Sequence, residues 1–411
     1  MHVTTEIATD LLTPLGAYLR LRRGAEAAFL LESVERGRLG RHSFVGRGSR
    51  LVEFEEAQAL AEPVVGYLGY DFVTRLEPTV SLPEHGPAFP ESRFVVPELL
   101  VRFDHARGVA EVLVGDPGAA VRLLDRPQPD PPHGNGIPDE LRRFPERDEH
   151  LRRVERVKEH IREGDVFQVV IAQRAERPTS ASAFELYRAL RRVNPSPYLF
   201  LLELGDLALV GSSPETVVKC DGRRAALNPI AGTIAPGEGD AEALLSSEKD
   251  RAEHVMLVDL GRNDLSRVCL PGSVRVAQFM SPERYSHVTH LVSEVVGELR
   301  EGVTAYELLR ACFPAGTVSG APKVRAMQII SDLERYRRGV YGGAVGYVLP
   351  ERREMDTCIA IRTLVLRNGV AYLQAGGGIV VDSDPAAEHQ ECLNKLAALE
   401  RAIELAETEW R

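Results

Sequence analysis

Val154, Val157 and Ile161 recur at helical spacing with Arg and Glu between them, which predicts a helix from about Asp148 to Glu163, ending at Gly164. Further helix candidates lie at 182–192, 247–260, 304–311, 322–335 and 385–407. Runs of β-branched and large apolar residues predict strands at 165–176, 199–204, 207–211, 215–220, 340–349, 356–366 and 370–375. FVVPELLVRFD (94–104) and GVAEVLVGD (108–116) flank a short HAR turn and read as a hairpin. There is no repeat with a period of about 20–50 residues. Hairpin signals outweigh regular βαβ alternation, so the predicted fold class is α+β with largely antiparallel sheets.

One segment breaks this pattern. Residues 125–140 read DRPQPDPPHGNGIPDE, and prolines this dense favour an extended connector over a ladder. It divides the chain into an N-terminal region (1–124), a Pro-rich linker or loop (125–147) and a C-terminal region (148–411) that holds most of the candidate chemistry.

Composition narrows the function. The chain has 411 residues, 44% hydrophobic and 27% charged, which is ordinary for a globular protein. A formal charge of -10 argues against a general nucleic-acid binder. An anionic small substrate would then need local cations, a helix N-terminus or a metal to overcome the net field. The five cysteines (Cys220, Cys269, Cys312, Cys358 and Cys392) are scattered and form no C-x-x-C, which suits reduced thiols better than a disulfide framework or zinc ribbon. The first twenty residues carry acids where a signal peptide would be apolar, and no apolar run approaches the ~18 residues of a membrane span. The expectation is a cytoplasmic protein with no membrane partner.

Three segments could carry chemistry. In DSDPAAEHQECLNKLAAL, Asp384 and Pro385 suit a helix start, and Glu388, Glu391 and Lys395 share one face. In SSEKDRAEHVMLVDLGRND, Ser246 or Ser247 can cap a helix on which Asp250 and Glu253 stand three apart beside an apolar run. Two such carboxylate pairs suit a Mg²⁺ that keeps several waters; they also suit two solvated faces that never meet. In FPAGTVSGAPKVRAMQII, small residues precede a helix opened by Pro322, a plausible anion site. QAGGGIVVDS (374–383) offers glycines that let backbone approach a ligand. No P-loop, Rossmann fingerprint or H-E-x-x-H is present. His290, in SHVTHLVSEVVG, reads on its own as a core histidine.

These strings, together with EGDVFQVVIAQR (163–174), NPSPYLFLLE (194–203), GSSPETVVK (211–219), NPIAGT (228–233), YGGAVGY (341–347) and DTCIAIRT (356–363), resemble the chorismate-utilising enzyme family, and within it the large subunits of anthranilate synthases. The resemblance implies a sandwich of largely antiparallel sheets flanked by helices, with two intimately packed subdomains. It implies Mg²⁺ bound by Glu253 and Glu391, with Asp250 and Glu388 holding its waters. Glu215, His290 and Thr317 fall at catalytic positions: Glu215 as general acid, His290 in later proton chemistry. Gly232, Thr233, Tyr341, Arg362, Gly376, Gly377, Gly378 and Lys395 fall at substrate-binding ones. The chain departs from the family at IAPG (234–237), where arginine is usual, in a short loop over 239–246, and at Gly377, where alanine is common.

Two positions bear on the reaction. Ala231 stands where aminodeoxychorismate synthases carry a lysine that attacks the ring, and Gln168 where isochorismate synthases carry a lysine that activates water. Neither residue can do that chemistry, which leaves ammonia as the nucleophile. LLES (30–33), with Ser33 and the Pro197-Tyr198-Leu199 segment, resembles the family's tryptophan feedback site. No cysteine nucleophile elbow is found, so the resemblance implies a separate glutamine amidotransferase subunit. The leading reading is conversion of chorismate and ammonia to anthranilate and pyruvate. The alternatives are an aminodeoxyisochorismate or aminodeoxychorismate synthase, and a catalytically silent tryptophan-binding regulatory subunit.

Overall fold

A computed structural model describes residues 6–33, 40–234, 237, 239–284 and 289–408. The IAPG segment therefore lies partly outside the described residues, as does the side chain of Thr233. Within them, alternating and all-apolar runs build two sheets of twelve and ten strands. Neighbouring strands pair antiparallel. The innermost strands bury both faces, as Leu207–Ser213 does along its whole length. Phe29, Phe200, Leu202 and Leu209 from the larger sheet meet Val65, Tyr67, Val345 and Leu349 from the smaller one in a shared core. Helices cover the outer faces. Pro14–Leu21, Ala183–Val193 and Pro385–Thr408 pack on one side. Glu248–Ser266, Ala305–Cys312 and Lys323–Glu334 bury their apolar faces in the other large core.

The expected helices all form, and local chemistry explains their ends. Ser182 and Glu185 close a capping box on Ala183–Val193. The Ser247 hydroxyl accepts from the Asp250 amide at 3.2 Å, which starts Glu248–Ser266. Asp384 accepts from the Ala387 amide at 2.8 Å ahead of the last helix.

Two expected strands are each divided between the sheets. The run 94–104 becomes Ser92–Val96 in the smaller sheet and Leu99–Asp104 in the larger one, since Pro97 has no N–H to continue a ladder. Only the second piece forms the hairpin, with Val109–Val114. The run 356–366 becomes Glu354–Ile359 and Thr363–Arg367, again in different sheets. Arg362 sits at that crossing with φ 50°, in the left-handed region.

The Pro-rich segment runs along the surface as a strap. A Cβ on Gly134 or Gly136 would lie 2.0 or 2.1 Å from the carbonyl oxygens of Ser180 and Thr179. Strands from both sides of 125–147 share both sheets. Ala27–Glu32 pairs with Tyr198–Leu204 in one, and Val64–Leu68 with Ala344–Leu349 in the other. All five cysteines are buried and free. Among the described residues no helix is long and apolar enough to cross a membrane.

A buried ion pair ties the glycine-rich loop to the sheet. Arg338 pairs with Glu334 and donates to the carbonyls of Val170 and Val318, while Glu334 accepts from the Ala172 amide at 2.9 Å. Arg338→Met should cost about 3–5 kcal/mol of stability in urea unfolding, because it strands a buried carboxylate. A loss under about 1 kcal/mol would show that the pair does not hold these elements together.

Candidate functional site

Glu215 ends the turn that enters the strand Thr216–Asp221, and its carbonyl accepts from the Ile359 amide at 2.9 Å. That bond fixes the residue beside the sheet crossing that carries Arg362. Burial pushes the Glu215 carboxyl up to about 8; Thr317, Lys395 and Arg362 pull the other way, and Glu253 adds to the rise. The Thr317 hydroxyl is buried and lies beside this carboxyl without completing a hydrogen bond. Arg362 is itself lowered by burial, with Glu215 as the opposing charge. Glu215, Thr317, Arg362, Lys395 and Glu253 therefore share one electrostatic neighbourhood, though they come from five separate segments.

Gly232 serves two neighbours. Its φ of 66° and bare α-carbon admit Asp250, whose Cγ would lie 3.4 Å from a Cβ there. Its carbonyl accepts from His290 Nδ1 at 2.9 Å. A carbonyl can only accept, so Nδ1 carries the hydrogen and the neutral ring keeps its basic lone pair on Nε2. Burial is the main cause that lowers the His290 pKa, and Arg362 adds to it. Thr233 pairs with His290 through the backbone.

The glycines of 376–378 form the end of the strand Val370–Ile379. The Gly376 carbonyl accepts from Lys395 Nζ at 2.8 Å, and a Cβ on Gly376 would come within 3.0 Å of the Tyr341 hydroxyl. A Cβ on Gly377 would stand 3.0 Å from Glu388 Oε2 and 3.8 Å from Glu391 Oε1. Glycine at this position leaves these two carboxylates room that a side chain would take. Glu388 is buried and accepts from Ser383 Oγ at 2.7 Å, whereas Glu391 pairs with Lys395 at 2.7 Å and is exposed. On the other acidic helix, Glu253 accepts from the Gln168 amide at 3.0 Å. Its neighbour His254 faces the core instead and bonds Ser293 at 2.6 Å.

Asp250, Glu253, Glu388 and Glu391 do not supply three ligating atoms mutually within 4.8 Å; among the described residues only His160, Glu163 and Asp165 do. In that trio Asp165 is held by Arg325 at 2.6 Å. The four carboxylates nevertheless fit a hard divalent cation chemically. They are oxygen donors on two helices, and a cation, Lys395 Nζ, is already seated against Glu391.

Ser33, Pro197, Tyr198 and Leu199 line one cavity of about 120 Å³ between the sheets' ends. The Tyr198 hydroxyl bonds Thr216 at 2.7 Å and Asp356 at 3.1 Å, and Lys219 pairs with Asp356 at 3.0 Å. Thr216 directly follows Glu215, so Glu215 stands at the entrance of the strand that carries Lys219 to this cavity. Lys219 and Asp356 carry no local signature; only the strand register that places them opposite each other could have marked them. A second overlooked contact is Lys323 with Asp264 at 2.8 Å, which fastens the start of the helix Lys323–Glu334 to the helix bearing Glu253.

The sequence matches the model of the chorismate binding enzyme family over residues 16–401. It is 42% identical to anthranilate synthase component 1 of Thermus thermophilus, over 97% of this chain and 96% of that protein. It is 43% identical to a probable anthranilate synthase component 1 of Schizosaccharomyces pombe, over 98% and 92%. The crystal structure of anthranilate synthase component I from Streptococcus pneumoniae superposes with a TM-score of 0.80 at 33% identity, covering 96% of this chain and 99% of that one. The menaquinone-specific isochorismate synthase of Escherichia coli shares the fold, with a TM-score of 0.78 at 22% identity. With its sequence and its fold in agreement, this chain belongs to the chorismate-binding enzyme family.

Proposed function

We propose that this chain converts chorismate and ammonia to anthranilate and pyruvate, with Mg²⁺ at the two acidic helices, ammonia delivered by a glutamine amidotransferase subunit, and tryptophan as feedback inhibitor. The observation that carries the reading is Glu215, a carboxyl held near 8 beside Thr317 and Arg362. Such an acid is protonated at neutral pH and can give its proton to the C4 hydroxyl, which then leaves as water while ammonia bonds to C2. Arg362 suits a substrate carboxylate through a two-pronged contact, and among the described residues no hydrogen bond to the Thr317 hydroxyl competes with a substrate oxygen. His290, neutral with its lone pair on Nε2, can take the C2 proton as the enolpyruvyl group departs; that group takes up a proton and becomes pyruvate, and the ring becomes aromatic. When bound, the metal supplies positive charge against the ring carboxylate. Glu253 and Glu391 would hold it, with Asp250 and Glu388 on its waters.

The nucleophile follows from what the site lacks. Ala231 has no amine to attack the ring, and the Gln168 amide is no base for water. The relatives are named as component 1 proteins, and a second component is the partner we assign as the ammonia source.

Purified chain with chorismate, Mg²⁺ and an ammonium salt at mildly alkaline pH should produce anthranilate fluorescence and pyruvate in equal amounts. A non-aromatic amino product without pyruvate would replace this reading with an aminodeoxyisochorismate-type reaction. Tryptophan at about a hundredfold over its Kd should stabilise the fold by about 2.7 kcal/mol and suppress anthranilate output. An unchanged thermal midpoint and unchanged output would remove the regulatory part.

A further inference from the structure

Gln168 opens the strand Gln168–Pro178 and is 3% exposed. Its side chain lies flat across a glycine: a Cβ on Gly378 would stand 2.3 Å from Nε2 and 3.1 Å from Cδ. Its backbone is equally confined, since a Cβ on Gly320 would come within 2.2 Å of the Gln168 carbonyl oxygen. Side chain and backbone of Gln168 are thus each packed against a glycine, and its Nε2 donates to Glu253 Oε1 at 3.0 Å. No other hydrogen bond or ion pair to Glu253 is present among the described residues.

Glu253 stands on a helix and Gln168 on a sheet, so this contact is what ties the carboxylate to the glycine-rich strand end. A glutamate has three rotatable bonds, and ordering them costs side-chain entropy. A partner that orders it in advance spares a bound cation that cost, and groups that orient metal ligands act in this way. The chemistry of the donor matters as well. An amide N–H fills one lone pair of Oε1 and leaves the full negative charge on the carboxylate. An ammonium in the same place would offset that charge.

We infer that Gln168 is a positioning residue: it holds the Glu253 carboxylate ready for the divalent cation, and Gly378 is the clearance that lets it do so. This rests on the proposed reading of Glu253 as a metal ligand. Gln168→Met keeps the volume and loses the donor. With chorismate present and ammonia withheld, Mn²⁺ binding followed by electron paramagnetic resonance should weaken roughly 10–100-fold. In turnover, the Mg²⁺ concentration for half-maximal rate should rise in parallel, while kcat recovers at high Mg²⁺ and KM for chorismate at saturating Mg²⁺ stays parental. Gly378→Ala should weaken Mn²⁺ binding to the same degree, and the double variant should bind Mn²⁺ no more weakly than the worse single one. If Gln168→Met fails to fold, Gly378→Ala decides the matter alone. Parental Mn²⁺ affinity in the variants, with affinity lost in Glu253→Gln, would overturn the role of Gln168 and leave the metal site standing. Parental affinity in Glu253→Gln as well would overturn the metal site and this inference with it.

Discussion

Glu215→Gln is expected to abolish most anthranilate formation while making the fold more stable in mild alkali. The loss should be about 10²–10⁴-fold in kcat, the usual contribution of a positioned general acid, because an amide cannot protonate the departing hydroxyl. The gain follows from the raised carboxyl, which moves from an ordinary 4.5 to about 8 in the fold, chiefly through burial. Below pH 4.5 the group is neutral in both folded and unfolded chains and costs nothing. Between 4.5 and 8 the unfolded chain ionises while the folded one holds its proton, so stability falls as pH rises. Above about 8 the cost is fully developed. Glutamine removes that dependence at nearly constant shape. The thermal midpoint of the variant should match the parent at pH 5 and exceed it at pH 9. In the parent, kcat corrected for free ammonia should fall as pH passes about 8. A variant with parental turnover, or a midpoint gap that shrinks with pH, would remove Glu215 from the acid role.

Glu215 was marked in the sequence as a candidate acid only through a resemblance, and the reason is physical. GSSPETVVK contains one glutamate among many, and nothing local says that it will be buried. Its environment is assembled by the two sheets, by the loop at Gly316–Val318 and by the last helix. Helices, by contrast, announce themselves through spacing and caps, and each expected one formed within a few residues of its predicted bounds, apart from 247–260, which continues to Ser266. The strands were harder. A run such as 94–104 is apolar enough to be one strand, and only Pro97 hints that the chain will leave one sheet for the other. The crossing at Ile359–Thr363 has no proline or glycine to betray it; Arg362 takes the left-handed conformation itself. This is how an arginine inside an apparent strand reaches Glu215. Gln168 shows a different limit. From the sequence it mattered for the lysine it is not, whereas its bond to Glu253 depends on the pairing of the strand Gln168–Pro178 with Val370–Ile379, which brings Gly378 under its side chain.

The second large effect is expected at the other acidic helix. Glu391→Gln should cut turnover at least 100-fold, given that each 1.36 kcal/mol is a factor of ten and a metal contact is worth several kcal/mol. The amide keeps the shape of the side chain and removes its charge, so the variant tests charge rather than packing. Stability should hardly move. Glu391 is exposed, its ion pair is with a Lys395 that is itself 40% exposed, and pairs of that kind contribute about 0–1 kcal/mol. Lys395 also keeps its bond to the Gly376 carbonyl. The contrast with Glu388 sharpens the test. Glu388 is buried against Gly377 and holds the Ser383 hydroxyl, so Glu388→Gln should disturb the strand end as well as the rate. Circular dichroism and thermal midpoints separate the two variants, and anthranilate fluorescence across a Mg²⁺ series reads the charge effect directly. A Glu391→Gln protein with near-parental turnover at every Mg²⁺ concentration would mean that the two acidic helices do not share a cation, and the ring carboxylate would have to be held by Arg362 and Lys395 alone.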